Sequence, residues 1–231
     1  MRILLLHALP LDEGMWQPQL DALGPHSVEA PNLYALGGAS MEEWATALLE
    51  RVPGELVLVG ASMGGYCALA VAQLAPERVR GLVLAGSRAD ADSPERKAAR
   101  QVAIEWIERE GAEGMWEQMK PVVAGEIVPD ELRKRLRAIA LEQPAEGLLR
   151  AVQAIRDRPD STAVVAQLDV PLLVAVGDHD PINSVDYARE LAAVAPHGEA
   201  LVFDQTGHLP SFERPAEFDA KLLRFLGEIG Y

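Results

Sequence analysis

The chain has 231 residues, enough for one domain with a full apolar core, and 21 basic against 35 acidic residues give a net charge of −14. That charge repels phosphate backbones and anionic membrane surfaces, so nucleic acid and lipid headgroups are excluded as expected partners. A hydrophobic share of 49% with 24% charged residues excludes disordered and fibrous chains. The single cysteine, Cys67, allows no intrachain disulfide and no cysteine-based zinc site, which points to a reducing, cytoplasmic setting.

Taken in order, the chain opens on Arg2–Leu6, an apolar run that breaks at His7 and Pro10 and meets acid at Asp12 and Glu13. It reads as a buried strand rather than a signal peptide, and no stretch approaches the roughly 20 apolar residues of a membrane helix. A helical stretch at Met15–Leu23 and a weaker strand at Ser27–Ala30 follow, then a helix at Met41–Arg51. Glu55–Val59 and Gly81–Ala85 are near-continuous apolar runs that flank a helical Met63–Ala75. Leu172–Val176, Val185–Val194, Ala200–Phe203 and Pro215–Glu228 repeat the strand–helix rhythm near the end. Short apolar runs alternating with amphipathic helices predict an α/β fold with a doubly wound parallel sheet covered on both faces.

Residues from about 88 to 167 break the rhythm with at least four helical segments, Pro94–Arg109 and Asp130–Leu141 among them, and no convincing strand. Ser93-Pro94 supplies a capping serine and a first-turn proline for the first of these helices. The expected organisation is a core of 1–87 and 168–231 with 88–167 inserted as a helical cap.

Gly60-Ala61-Ser62-Met63-Gly64 is a G-x-S-x-G sequence between a buried strand and a helix. This is the context a nucleophile elbow needs, since small residues must flank a serine held in a tight turn. Chance would place such a pattern in a chain of this composition about one time in twenty. A serine hydroxyl needs a base, and the base an orienting acid. Of the five histidines, His208 follows the last apolar strand and so reaches the same sheet edge as Ser62, whereas His7, His26, His179 and His197 fit structural or solvated roles. The strand Leu172–Val176 runs into Gly177-Asp178-His179-Asp180-Pro181, which offers two acids. Asp178 stands one glycine past the strand, where it is expected to cap its own turn, and Asp180 stands where the loop can curl toward His208.

These segments, with Leu6-His7-Ala8-Leu9-Pro10 near the start, resemble the α/β-hydrolase superfamily, most closely its lidded, cofactor-free esterase and lactonase branch. The resemblance covers the whole chain apart from the variable cap. It implies a triad of Ser62, Asp180 and His208, with no metal and no cofactor. It also implies an oxyanion hole of two backbone N–H groups, one on Met63 and one on the loop after the first strand. There Pro10 has no N–H, which narrows the choice to Ala8 or Leu9, and Leu9 is the position that matches. Ala8 departs from the glycine common at its place and requires an ordinary φ. Only Met1 precedes the strand-like Arg2–Leu6 run, so about six strands are expected where larger members have about eight.

The expected activity is hydrolysis of a small-molecule carboxylic ester through an acyl-enzyme. The same triad could serve lactone opening, C–C hydrolysis or perhydrolysis, and a non-catalytic binding protein is the reading from another class. Trp106, Met115, Trp116 and Met119 in the cap are candidate pocket residues whose alternative is packing between cap and core. Tyr66 and Cys67 read as packing residues, and Glu105, Glu108 and Glu110 as a solvated helix face. Nothing in the sequence bears on oligomeric state.

Overall fold

The computed structural model describes residues 1–24 and 27–231. His26, one of the five histidines, lies outside them. Six strands, β1 (Arg2–Leu6), β2 (Val28–Glu29), β3 (Leu56–Ala61), β4 (Val79–Ala85), β5 (Leu172–Gly177) and β6 (Gly198–Phe203), form one sheet in the order β2-β1-β3-β4-β5-β6. Every pairing is parallel. This is the doubly wound parallel sheet that the alternation predicts, with the number of strands that the family resemblance implies. All residues of β3 and β5 are buried, because helices cover both faces, and this is why those strands read as unbroken apolar runs.

Among the described residues six α-helices serve the sheet: α1 (Gln17–Leu23), α2 (Met41–Arg51), α3 (Met63–Leu74), α8 (Val185–Val194), α9 (Pro210–Glu213) and α10 (Pro215–Glu228). The Met15–Leu23 stretch is one helix in sequence but two in space. A short 3-10 turn over Glu13–Trp16, capped by Asp12 accepting the Gly14 N–H at 2.9 Å, precedes α1.

Between β4 and β5 the chain forms α4 (Pro94–Val123), α5 (Asp130–Leu141), α6 (Ala145–Asp157) and α7 (Thr162–Gln167). Ser93 Oγ accepts the Arg96 N–H at the start of α4, as a serine cap should. The expected stop at Arg109 falls two residues before a break inside this element. Gly111, at φ 61°, makes a kink, and the helix resumes beyond it. The two ends of the helical insertion are fastened together. Ser161 N–H donates to the Ala89 carbonyl at 2.7 Å, and the buried Arg158 and Asp92 side chains form an ion pair at 2.9 Å. Gln143, in the α5–α6 turn, reaches across to donate to Asp12 Oδ2 at 2.8 Å, which ties the insertion to the loop after β1. Among the described residues no helix is long and apolar enough to cross a membrane.

Candidate active site

Ser62 sits between the end of β3 and the start of α3 with φ 47° and ψ −111°, in the left-handed region that costs an ordinary residue on the order of 1–2 kcal/mol. The strand-to-helix turn is too tight for side chains on its glycines. A Cβ on Gly60 would lie 2.5 Å from the Gly64 backbone, and one on Gly64 would lie 2.0 Å from the Leu6 carbonyl oxygen of the adjacent β1. Packing therefore selects both glycines of the motif. The serine is held on two sides: its N–H donates to the Ala85 carbonyl at 2.8 Å, and its own carbonyl accepts the Ser87 hydroxyl at 2.9 Å.

His208 follows β6, and its Nε2 lies 2.9 Å from Ser62 Oγ. Its Nδ1 lies 2.9 and 3.0 Å from the two oxygens of Asp180, beyond β5. The His208 and Asp180 side chains are 1% and 0% exposed, so this pair is closed to water. Asp180 also accepts the N–H groups of Ile182 and Asn183 and the Asn183 side-chain amide at 2.8 to 3.1 Å. Burial pushes the Asp180 carboxyl up, but the His208 imidazole and these three donors outweigh it and hold the group below the usual carboxylate range. The arrangement sets Asp180 against Nδ1 and the serine hydroxyl against Nε2, the order a base needs if it is to be oriented by the acid.

Asp178 faces elsewhere. Its carboxylate meets His179 Nδ1 at 2.8 Å and accepts the Thr206 N–H at 3.1 Å, and the His179 contact leads in drawing its pKa down to about 2. The expectation that Asp178 caps its own turn needs correction. Its backbone partner belongs to the loop before His208, which crosses above β5 because β6 is its neighbour in the sheet.

The loop after β1 brings Leu9 to the same end of the sheet. Of the two amides that sequence left open, the Ala8 N–H is taken by Met15 Sδ at 3.2 Å, while the Leu9 N–H meets no acceptor among the described residues. Ala8 keeps an ordinary φ. The Met63 N–H opens the twelve-residue helix α3, whose dipole adds positive potential there. His7 is fully buried and structural. It accepts the Leu33 N–H on Nε2 at 2.9 Å and turns Nδ1 to the Ala8 carbonyl at 3.2 Å.

Met115, Trp116 and Met119 are buried within the apolar cluster that also contains Leu9 and Met63, whereas Trp106 is half-buried beneath the Arg109 guanidinium, 4.6 Å from its ring. Cys67 is buried in α3 and burial pushes its thiol up to about 12, so it is not a second nucleophile. Tyr66 packs under Arg158, and Glu105, Glu108 and Glu110 are exposed. His179 and His197 are surface residues paired with Asp178 and Asp169. A cavity of about 290 Å³ lies beside Met41, Tyr66, Leu69 and Arg158, and Ser62 does not line it. Sequence reasoning passed over Asn183, Ser87 and Gly86. Gly86 has φ +56°, and a Cβ there would lie 2.2 Å from the His208 carbonyl oxygen. Only the turn around Asp180-Pro181 carried a readable signal for one of them, since an Asp-Pro pair favours a turn in which the aspartate accepts nearby N–H groups.

Comparison with known proteins bears on the family and the fold. Residues 3–221 match the model of the Alpha/beta hydrolase family. The pimeloyl-[acyl-carrier protein] methyl ester esterase of Vibrio cholerae is 27% identical, over 96% of this chain and 93% of its own length. A thermophilic esterase from Thermogutta terrifontis is 32% identical and superposes with a TM-score of 0.93, covering 100% of this chain and 91% of that one. A bromoperoxidase from Bacillus anthracis, 20% identical, shares the fold with a TM-score of 0.81 over 98% of this chain and 91% of its own. A parallel six-stranded sheet, a strained serine at a strand-to-helix turn and matches along nearly the whole length lead to one conclusion: the chain belongs to the alpha/beta hydrolase family.

Proposed function

We propose that this carboxylic ester hydrolase works through an acyl-enzyme on Ser62, with His208 as its base and Asp180 as the acid that orients His208. The observation that carries this reading is the unbroken chain of contacts from Ser62 Oγ to His208 Nε2 at 2.9 Å and from His208 Nδ1 to Asp180 at 2.9 Å. His208 takes the Ser62 proton as the oxygen attacks the ester carbonyl. The resulting oxyanion is met by the N–H groups of Met63 and Leu9, and His208 returns the proton to the departing alcohol. Water then attacks the acyl group, giving its proton to His208, and the carboxylic acid leaves as Ser62 Oγ recovers a proton.

The substrates proposed are small to medium esters, with residues 88–167 as a cap and Trp106, Met115, Trp116 and Met119 as its apolar roof. Met115, Trp116 and Met119 are buried in the apolar core, and Trp106 is half-buried. Relatives that act on a methyl ester make short alcohol groups the first to try. A single buried cysteine suits a cytoplasmic enzyme. The test is a serine-reactive phosphonate followed by mass spectrometry, beside kinetics on p-nitrophenyl and methyl esters. The adduct is expected on Ser62, and Ser62→Ala is expected to lower kcat by several orders of magnitude. An adduct elsewhere, or a Ser62→Ala enzyme with near-normal turnover, overturns the mechanism.

A further inference from the structure

We infer that Glu213 is a positioning residue for His208. Its carboxylate forks across the two peptide N–H groups on either side of that histidine: Oε2 accepts from Gly207 at 2.7 Å and Oε1 accepts from Leu209 at 2.9 Å. Charge-assisted bonds of this kind are the strong ones, and a bidentate acceptor fixes direction as well as distance. The His208 main chain also packs closely on Gly86, where a Cβ would come within 2.2 Å of the His208 carbonyl oxygen. The histidine's backbone is thus held by a carboxylate fork and by close packing on a glycine. Glu213 itself stands on the four-residue α9, directly after the loop it holds.

The imidazole is a lever on that backbone. A tilt of about 10–15° at the Cα carries Nε2 by roughly 1 Å, beyond hydrogen-bonding range of Ser62 Oγ. Misplacement of about 1 Å at a reacting group can cost on the order of a hundredfold in rate. The Glu213 carboxylate bonds the main chain on both sides of His208 and neither Ser62 nor Asp180, so its effect must run through the orientation of His208.

The role rests on the acyl-enzyme reading and is tested in the full-length enzyme with Glu213→Gln and Glu213→Ala. Glutamine keeps the shape and one acceptor but turns an NH2 toward the other amide. Expected losses in kcat are about tenfold for glutamine and about a hundredfold for alanine, with KM within about twofold of wild type. The rate of phosphonylation of Ser62 should fall in parallel. The far-downfield proton resonance of His208 Nδ1–H in the phosphonylated enzyme should broaden or move. All rates are taken well below each variant's own melting temperature, and if the alanine variant does not fold the glutamine variant carries the test. Variants that are phosphonylated as fast as wild type, with an unchanged His208 resonance, overturn the role of Glu213 alone. Wild-type enzyme that resists the phosphonate overturns the acyl-enzyme reading and the Glu213 role with it.

Discussion

Asp178 and Asp180 leave the end of β5 two residues apart and grip opposite ends of one loop. Asp178 accepts the Thr206 N–H at 3.1 Å, and Asp180 meets His208 Nδ1 at 2.9 Å. The two carboxylates are the same chemical group but hold different parts of the 206–208 segment, Asp180 from a buried position and Asp178 from a part-exposed one beside His179. Asp180→Asn is expected to lower kcat by about a thousandfold or more, because the amide can present an N–H to Nδ1 and so favour the unproductive tautomer. Asp178→Asn should keep most activity and cost about 1 kcal/mol of stability. Kinetics and melting curves for both variants decide between the two acids, and an inactive but stable Asp178→Asn would move the role to Asp178.

Gly64 offers a purely steric test. A methyl group there would sit 2.0 Å from the Leu6 oxygen and 2.9 Å from the His7 oxygen, both backbone atoms that cannot rotate away. Gly64→Ala must push β1 from α3 and should destabilise by about 3 kcal/mol or more, with loss of turnover. Gly227, in α10, has nothing within 4 Å of its would-be Cβ, so Gly227→Ala should be neutral or stabilising by up to about 1 kcal/mol. Urea midpoints for the pair measure the contrast.

His7 makes the fold sensitive to acid. Burial lowers its pKa from 6.5 to about 4, and protonation would set an N–H on Nε2 against the Leu33 N–H that this nitrogen accepts. The unfolded chain binds the proton first, so the stability from neutral His7 is complete above about pH 6.5 and is lost as pH falls toward 4. The loss amounts to about 3 kcal/mol at 1.36 kcal/mol per unit. Unfolding free energies at pH 7 and pH 4.5 should differ more for wild type than for His7→Gln, which cannot titrate. Equal differences would remove His7 as a cause.

A triad supplies its own nucleophile and base, and among the described residues no cluster of His, Cys, Asp or Glu is arranged to hold a metal ion. Dialysis against EDTA is expected to leave the rate unchanged, and a loss restored by zinc would contradict this.

What the sequence made legible was whatever a local rule enforces. Ser62 announces itself because Gly60 and Gly64 are demanded by contacts within a few residues and with one neighbouring strand. His208 and Asp180 could be ordered because each follows an apolar strand that must end at the same sheet edge. Other features have no such pattern. Glu213 holds main-chain N–H groups, which every residue carries, so nothing in the spacing of Gly207, Leu209 and Glu213 marks the bond. The reach of Gln143 to Asp12 spans 131 residues and depends on how α5 and α6 dock. The break at Gly111 lies two residues beyond the Pro94–Arg109 segment, and the sequence pattern does not separate the helix after it, which buries Met115, Trp116 and Met119.

The strand order also sets when a new molecule can first turn over substrate. Ser62 stands after β3 and His208 146 residues later, after β6, with β4 and β5 between those strands in the sheet. The helices from Pro94 to Asp157 need mainly local contacts and can form early, whereas closing long loops to pair distant parallel strands is slow. Turnover regained after dilution from denaturant therefore clocks the docking of β6, and it should lag behind the return of the far-ultraviolet helix signal.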